Sequence, residues 1–230
     1  MNRIIKKSVA VVLFTTTASV ALADNYNIGL SAAYGKLEAS GTQTNDGVSK
    51  SGSGNAKFPF ASIFAEYNML ANKDWDVAFG LDFIPYKAEI EDRSAVDADN
   101  LSTTVSGTAS TTNQTKSVTL KMKNHATIYV QPTYKLGQGL AVFGKLGYAH
   151  ADLNVSGTNN ATITTIDQKD NLAGPVIGIG LQNDINKDTF VRFEANYTDY
   201  KSVSYTNSTG TVTTANPELW AAKISIAKRF

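Results

Sequence analysis

The stretch Leu219–Phe230 reads LWAAKISIAKRF. Taken alternately, Trp220, Ala222, Ile224, Ile226 and Phe230 point one way, and Ala221, Lys223, Ser225, Ala227 and Arg229 point the other. A period of two marks a strand with one apolar and one polar face. A free strand of this kind, ending on an aromatic residue, would leave an edge open to aggregation in water. The same strand is satisfied if it closes a barrel whose apolar face meets lipid, because no backbone group is then left unpaired.

Seven earlier segments repeat the pattern: Asn25–Ala39, Phe58–Leu70, Trp75–Ala88, Val118–Leu136, Leu140–Val155, Leu172–Asp184 and Phe190–Tyr200. Trp75–Ala88 is the clearest, with Trp75, Val77, Phe79, Leu81 and Phe83 set against Asp76, Ala78, Gly80 and Asp82. In Phe58–Leu70 the alternation is blurred by Phe60 and Phe64.

The connections alternate in length. Ser40–Lys57, Glu89–Ser117, Ser156–Asn171 and Lys201–Pro217 are long and rich in Ser, Thr, Asn and Gly, and read as loops. Ala71–Asp74, Gly137–Gly139 and Asn183–Thr189 are short turns. Even strand number, short turns on one rim and long loops on the other are the signature of an outer-membrane barrel. A soluble up-and-down barrel has no reason to put all its length on one side. The fold expected is all-β, an eight-stranded antiparallel transmembrane up-and-down β-barrel.

The N-terminus agrees. Met1–Lys7 carries Arg3, Lys6 and Lys7, Ser8–Val20 is an uncharged and mostly apolar run, and Ala21-Leu22-Ala23 is a small-x-small cleavage site. Residues 1–23 are therefore expected to be a signal peptide and 24–230 the barrel domain. Without the leader's three basic residues, 18 of the 21 remain against 20 acidic ones. That near-neutrality excludes nucleic acid as an expected partner. Cysteine is absent, which excludes disulfides and thiolate metal sites. No later stretch is long and apolar enough for a spanning helix.

On this topology Tyr26, Tyr67, Trp75, Tyr134 and Phe230 fall at the periplasmic rim, and Tyr34, Tyr148, Tyr197 and Trp220 near the external one. Two such belts suit anchoring at the membrane interfaces. Eight strands leave an interior just wide enough for side chains. The inward charges Glu66, Asp82, Lys145, Arg192, Glu194 and Lys223 are thus expected to pair in a polar core. If Tyr197 opposes Trp220, then Phe193 opposes Ile224 and Glu194 opposes Lys223, which predicts a Glu194–Lys223 ion pair. Proline is the difficulty, and Pro132 is expected to be absorbed by a bulge or a ladder end.

Catalytic and metal signals are weak. His150 lies two residues before Asp152 near the external rim, but no Gly-x-Ser-x-Gly element accompanies it. His125 and His150 are too isolated for a zinc site. Gly174, Gly178 and Gly180 sit within one strand, so they are not a dinucleotide fingerprint; they relieve crowding inside the barrel. Asn113, Asn160 and Asn207 open Asn-x-Thr triplets in loops. No catalytic residue, cofactor or metal ligand is expected.

The segments Val130–Leu136 (VQPTYKL), Phe143–Tyr148 (FGKLGY), Gly178–Gln182 (GIGLQ) and Arg192–Tyr197 (RFEANY), with the terminal Phe230, resemble the small outer-membrane β-barrel proteins of the opacity-protein and OmpA-transmembrane-domain type. The resemblance implies insertion by the outer-membrane assembly machinery, which in that family reads the last strand, here Ile224, Ile226 and Phe230. Lys228 departs from the usual apolar or tyrosine residue two before the end. Cell-wall tethering is not implied, because no peptidoglycan-binding domain follows the barrel. The functional expectation is a monomer in the outer membrane, in contact with lipid and lipopolysaccharide, with a structural or surface-interaction role and an extracellular ligand at its loops. The alternatives are a lipid-modifying acyl hydrolase or transferase, and a narrow pore or carrier for small solutes.

Overall fold

The computed structural model describes residues 25–45, 47–97, 114–159, 164–206 and 212–230. The leader, Asn113, Asn160 and Asn207 lie outside the described residues, as does part of each predicted loop. The strands are β1 (Tyr26–Asn45), β2 (Val48–Ala71), β3 (Trp75–Phe83), β4 (Ala88–Asp97), β5 (Gln114–Gly137), β6 (Leu140–Asn159), β7 (Thr164–Asp184), β8 (Thr189–Asp199), β9 (Val203–Thr206) and β10 (Val212–Arg229). Neighbours pair antiparallel in the order β1-β2-β3-β5-β6-β7-β8-β10, and β10 returns to β1. This is an eight-stranded closed ring. The closing register runs from Asn27↔Arg229 to Thr44↔Val212.

β4 and β9 do not add to the ring. Each continues a membrane strand after a break, β4 pairing with β5 above β3, and β9 with β10 above β8. The first break contains Pro85, which cannot donate to a ladder. At the second, the Tyr200 amide donates to the Pro217 carbonyl at 3.0 Å, and Pro217 has no N–H to return. Both breaks turn a side chain inward: Ile84 is 1% exposed and Tyr200 3%.

The stretches expected as loops are largely strand. Ser40–Lys57 lies within the β1–β2 hairpin, β4 occupies part of Glu89–Ser117, and the β6–β7 and β9–β10 ladders take up much of the other two. Their Ser/Thr-rich sequences lack an apolar face, but strands already held in register by the ring extend their ladders at little further entropic cost. Threonine also fits a pleated surface well.

Along β10, Trp220, Ala222, Ile224 and Ile226 are exposed while Leu219, Ala221, Ser225 and Ala227 are buried. The apolar face therefore points outward, away from the lumen. The ten residue steps from Trp220 to Phe230, at about 3.3 Å each and a tilt of about 40°, span roughly 25 Å, the height of an apolar band.

Pro132 is accommodated differently from the expectation. The β5–β6 register is the same on either side of it, from Val130↔Leu146 to Thr133↔Phe143, with the pairs between them missing. The ladder is interrupted without a bulge. The irregularities in this pair lie elsewhere, at Lys123/Ala126 and Lys135/Gly137.

Candidate functional site

The lumen is built by the inward parity of every strand, and it is layered. Nearest the external side is an apolar layer. Leu37, Phe58 and Leu219 come from β1, β2 and β10, Met122, Leu153 and Leu172 come from β5, β6 and β7, and Ile84 and Tyr200 join from the two breaks. Above the ends of β3 and β8 the wall divides into two sheets, β9-β10-β1-β2 and β4-β5-β6-β7, and this cluster joins their inner faces.

Below it lies a charged layer. Lys223 Nζ donates to Asp82 Oδ2 at 2.8 Å, and Ser62 Oγ donates to the same oxygen at 3.1 Å. Lys145 Nζ bridges both oxygens of Glu194 at 2.7 Å and lies 4.2 Å from the centre of the Tyr129 ring. The predicted backbone register is observed, with Lys223↔Glu194, Ile224↔Phe193 and Trp220↔Tyr197. The predicted ion pair is not. Long side chains on the inner face of a narrow barrel reach the axis, where Lys223 meets Asp82 of β3 and Glu194 meets Lys145 of β6.

The third layer centres on Glu66 and Arg192. The guanidinium donates from Nη1 to Oε1 at 2.5 Å and from Nη2 to Oε2 at 2.9 Å. The Tyr129 hydroxyl (2.8 Å) and Asn27 Nδ2 (3.1 Å) add two more donors to the carboxylate, and Gln182 Oε1 accepts from Arg192 Nε at 2.8 Å. The rings of Phe64, Phe143 and Phe190 surround the guanidinium, centred 4.6–5.4 Å from Cζ. A fully desolvated bidentate pair with every carboxylate lone pair used is the arrangement that makes buried charge tolerable.

The six predicted lumen charges thus form three separate pairs. Sequence reasoning missed the neutral residues that complete them: Asn27, Ser62, Tyr129, Gln182 and Asn196. All share the inward parity of the charges, which was the available signal. It also missed the apolar content. Phe60 and Phe64 blur the alternation because they point inward, so the core is aromatic as well as polar. Glycines make room for this. An added Cβ would strike the Tyr129 ring at Gly80 and the Phe143 ring at Gly180.

On the outer surface, Tyr34, Tyr67, Trp75, Tyr134, Tyr148 and Trp220 are exposed, and Tyr26 and Tyr197 are half-buried. They group in cross-strand pairs: Tyr26–Tyr67 at 5.0 Å between ring centres, Trp75–Tyr134 at 4.8 Å and Tyr197–Trp220 at 4.6 Å. Ile224 and Ile226 are exposed, and Phe230 is half-buried with its amide donating to the Tyr26 carbonyl at 2.8 Å. The Lys228 ammonium points outward and lies 5.1 Å from the Phe230 ring centre. His150 is also outward, with Nε2 3.7 Å from Asp152 Oδ1. Its cross-strand neighbours are Ala126 and Ala173, neither of which can act as a nucleophile. Among the described residues no cluster of His, Asp or Glu could hold a metal ion.

The model of the outer membrane protein beta-barrel domain matches residues 8–221. The chain belongs to that family. It is an outer-membrane protein, with the apolar barrel surface in lipid. No curated protein matches the sequence. Among solved structures, the outer membrane protein OprG from Pseudomonas aeruginosa aligns with a TM-score of 0.54 at 11% identity, covering 90% of this chain and 97% of OprG. The outer membrane protease OmpT from Escherichia coli aligns at 0.51 and 9% identity, covering 90% and 97%. Ail, the attachment invasion locus protein of Yersinia pestis, solved in complex with the heparin analogue sucrose octasulfate, gives 0.46 at 13% identity, covering 90% and 99%. At these identities the likeness is one of fold. One fold of this kind can carry different functions, so the fold alone does not decide what the protein does.

Proposed function

We propose that the protein is a closed, monomeric barrel with a structural or surface-interaction role in the outer membrane, acting through the strands and loops it raises above the lipid. The observation that supports this reading is the lumen, filled by an apolar, a charged and an aromatic layer in turn. On the same reading, residues 1–23 are removed on export, the aromatic belts sit in the two interfaces against lipid and lipopolysaccharide, and Ile224, Ile226 and Phe230 engage the assembly machinery. The partner of the external surface is an extracellular ligand.

Two measurements test it. Purified barrels in planar bilayers should show no unitary conductance; steady single-channel steps would favour the narrow-pore alternative. Cells carrying the protein should gain binding to host-surface or matrix material, and shortening 42–50 and 204–214 to tight turns should remove that gain while the folded barrel persists. A loss of lipopolysaccharide acyl chains that depends on His150 would instead favour the lipid-modifying enzyme.

A further inference from the structure

The wall of the barrel changes where β3 and β8 stop. The β2–β3 ladder ends at Ile63↔Phe83 and the β7–β8 ladder at Val176↔Thr198. Above those pairs no ladder joins β2 to β4 or β7 to β9 among the described residues. Each seam is instead closed at its base by one hydrogen bond from the strand break. At the first, the Ala61 amide of β2 donates to the Tyr86 hydroxyl, while the Ile84 amide donates to the His125 carbonyl of β5 at 2.9 Å. At the second, the Lys201 amide donates to the Ala173 carbonyl of β7 at 2.9 Å, while the Tyr200 amide holds Pro217 of β10. A third bond crosses the lumen. The Tyr200 hydroxyl meets His125 Nε2 at 3.0 Å, which joins one break to the other.

These bonds and the apolar layer constrain different things. Apolar contact is non-directional, so Leu37, Phe58, Met122 and Leu172 hold the two inner faces together without fixing the angle between the sheets. Hydrogen bonds are directional and weaken steeply when bent, so they do fix it. A ladder repeats such bonds along a strand, whereas each seam has one. Tyr86 is 43% exposed, so water competes for the first. Beside that seam β5 carries the irregularity at Lys123/Ala126, with Asn124 at φ 50°. The second seam depends on a close approach of two main chains. A Cβ added at Gly174 would strike the Asp199 carbonyl oxygen, so the seam closes only where β7 has no side chain.

We propose that the two external sheets, β9-β10-β1-β2 and β4-β5-β6-β7, are a pair of jaws that pivot at the strand breaks and are held shut by the Ala61–Tyr86, Ala173–Lys201 and His125–Tyr200 bonds. The device does not depend on whether the external surface has a partner. Breaking the bonds parts the jaws, while the membrane ring, whose ladders lie below the breaks, stays closed.

Distances between paired nitroxide labels test the jaws in the full-length mature protein folded into lipid nanodiscs, and the chain has no cysteine of its own to interfere. Ser53→Cys with Lys169→Cys reports between the sheets, and Ser53→Cys with Thr206→Cys reports within one. Both distributions should be narrow in the otherwise unaltered protein. Tyr86→Phe combined with Tyr200→Phe removes two hydroxyls and keeps both rings, and Gly174→Ala, made separately, wedges the second seam. Each should broaden the between-sheet distribution toward longer distances, leave the within-sheet one unchanged, and keep the heat-modifiable gel shift of the folded barrel. A between-sheet distribution unchanged in the folded tyrosine variant would overturn the proposal, whether or not Gly174→Ala folds. So would broadening of both distributions together, or a between-sheet distribution equally broad before the substitutions.

Discussion

At the residue scale the lumen's stability rests on each buried charge meeting an opposite one rather than on the number of charges. Glu66 and Arg192 come from strands 126 residues apart and are both essentially out of water. Removing one of them leaves the other buried and unpaired, which typically costs about 3–5 kcal/mol. Glu66→Gln is therefore expected to lower the unfolding free energy by that order, because an amide can neither neutralise the guanidinium nor accept bidentately. Urea titration of the folded barrel in lipid vesicles, followed by tryptophan fluorescence, checks this. Glu66→Gln combined with Arg192→Met should recover part of the loss, since removing both charges is far less damaging than removing one. The sequence displayed all six charges and their facing, because parity in a strand is an arithmetic property. It did not display which acid meets which base. Asp82, Glu194 and Glu66 all point to one axis, and the choice among Lys145, Lys223 and Arg192 depends on height along a tilted barrel and on side-chain reach.

At the scale of the element, the closing strand separates what a pattern specifies from what the neighbours impose. The outward row of β10 was legible from alternation alone, and so was its register with β8, because Trp220 and Tyr197 fix it. The ends of the strands were not legible. β1 and β2 run on through Ser, Gly and Thr to a turn near Gly47, where the only requirement is that each backbone group find the next strand. Polar composition reads as loop when a segment stands alone, but beside an aligned partner it is simply a wetted strand. The breaks at Pro85 and Tyr200 were equally hidden. A proline near a strand end is compatible with a loop, an edge or a kink, and only the ladder above it distinguishes them. A lipid-face substitution tests the outward row directly. Ile224→Arg places a guanidinium near mid-bilayer, where the cost in a barrel is about 2–4 kcal/mol. Its folded fraction on vesicles, read by heat-modifiable migration, is expected to fall well below that of Ser225→Ala. That second change deletes a lumen hydroxyl paired with Ser31 at 2.8 Å and leaves the lipid face intact.

At the scale of the molecule, the three lumen layers act in series. Their order follows from where the barrel is embedded. The charged and aromatic layers lie at membrane depth, where closed backbone pairing holds the ring rigid, whereas the apolar layer lies where the wall has divided into two sheets that need a shared core to stay together. Loss of the apolar layer should therefore loosen the external half without opening a passage. In the double variant Phe58→Ser with Leu172→Ser, two side chains at 1% and 0% exposure are replaced by hydroxyls. Each such large-to-small change in a core costs about 2–5 kcal/mol, with the polar group adding its own desolvation. The expected outcome is faster proteolysis of the external strands, unchanged migration of the membrane ring, and still no conductance in planar bilayers, because Lys223–Asp82, Lys145–Glu194 and Arg192–Glu66 continue to occupy the bore below. Ion current in that double variant would place the only barrier to flow in the apolar layer, and the charged pairs would then line a pore instead of closing one.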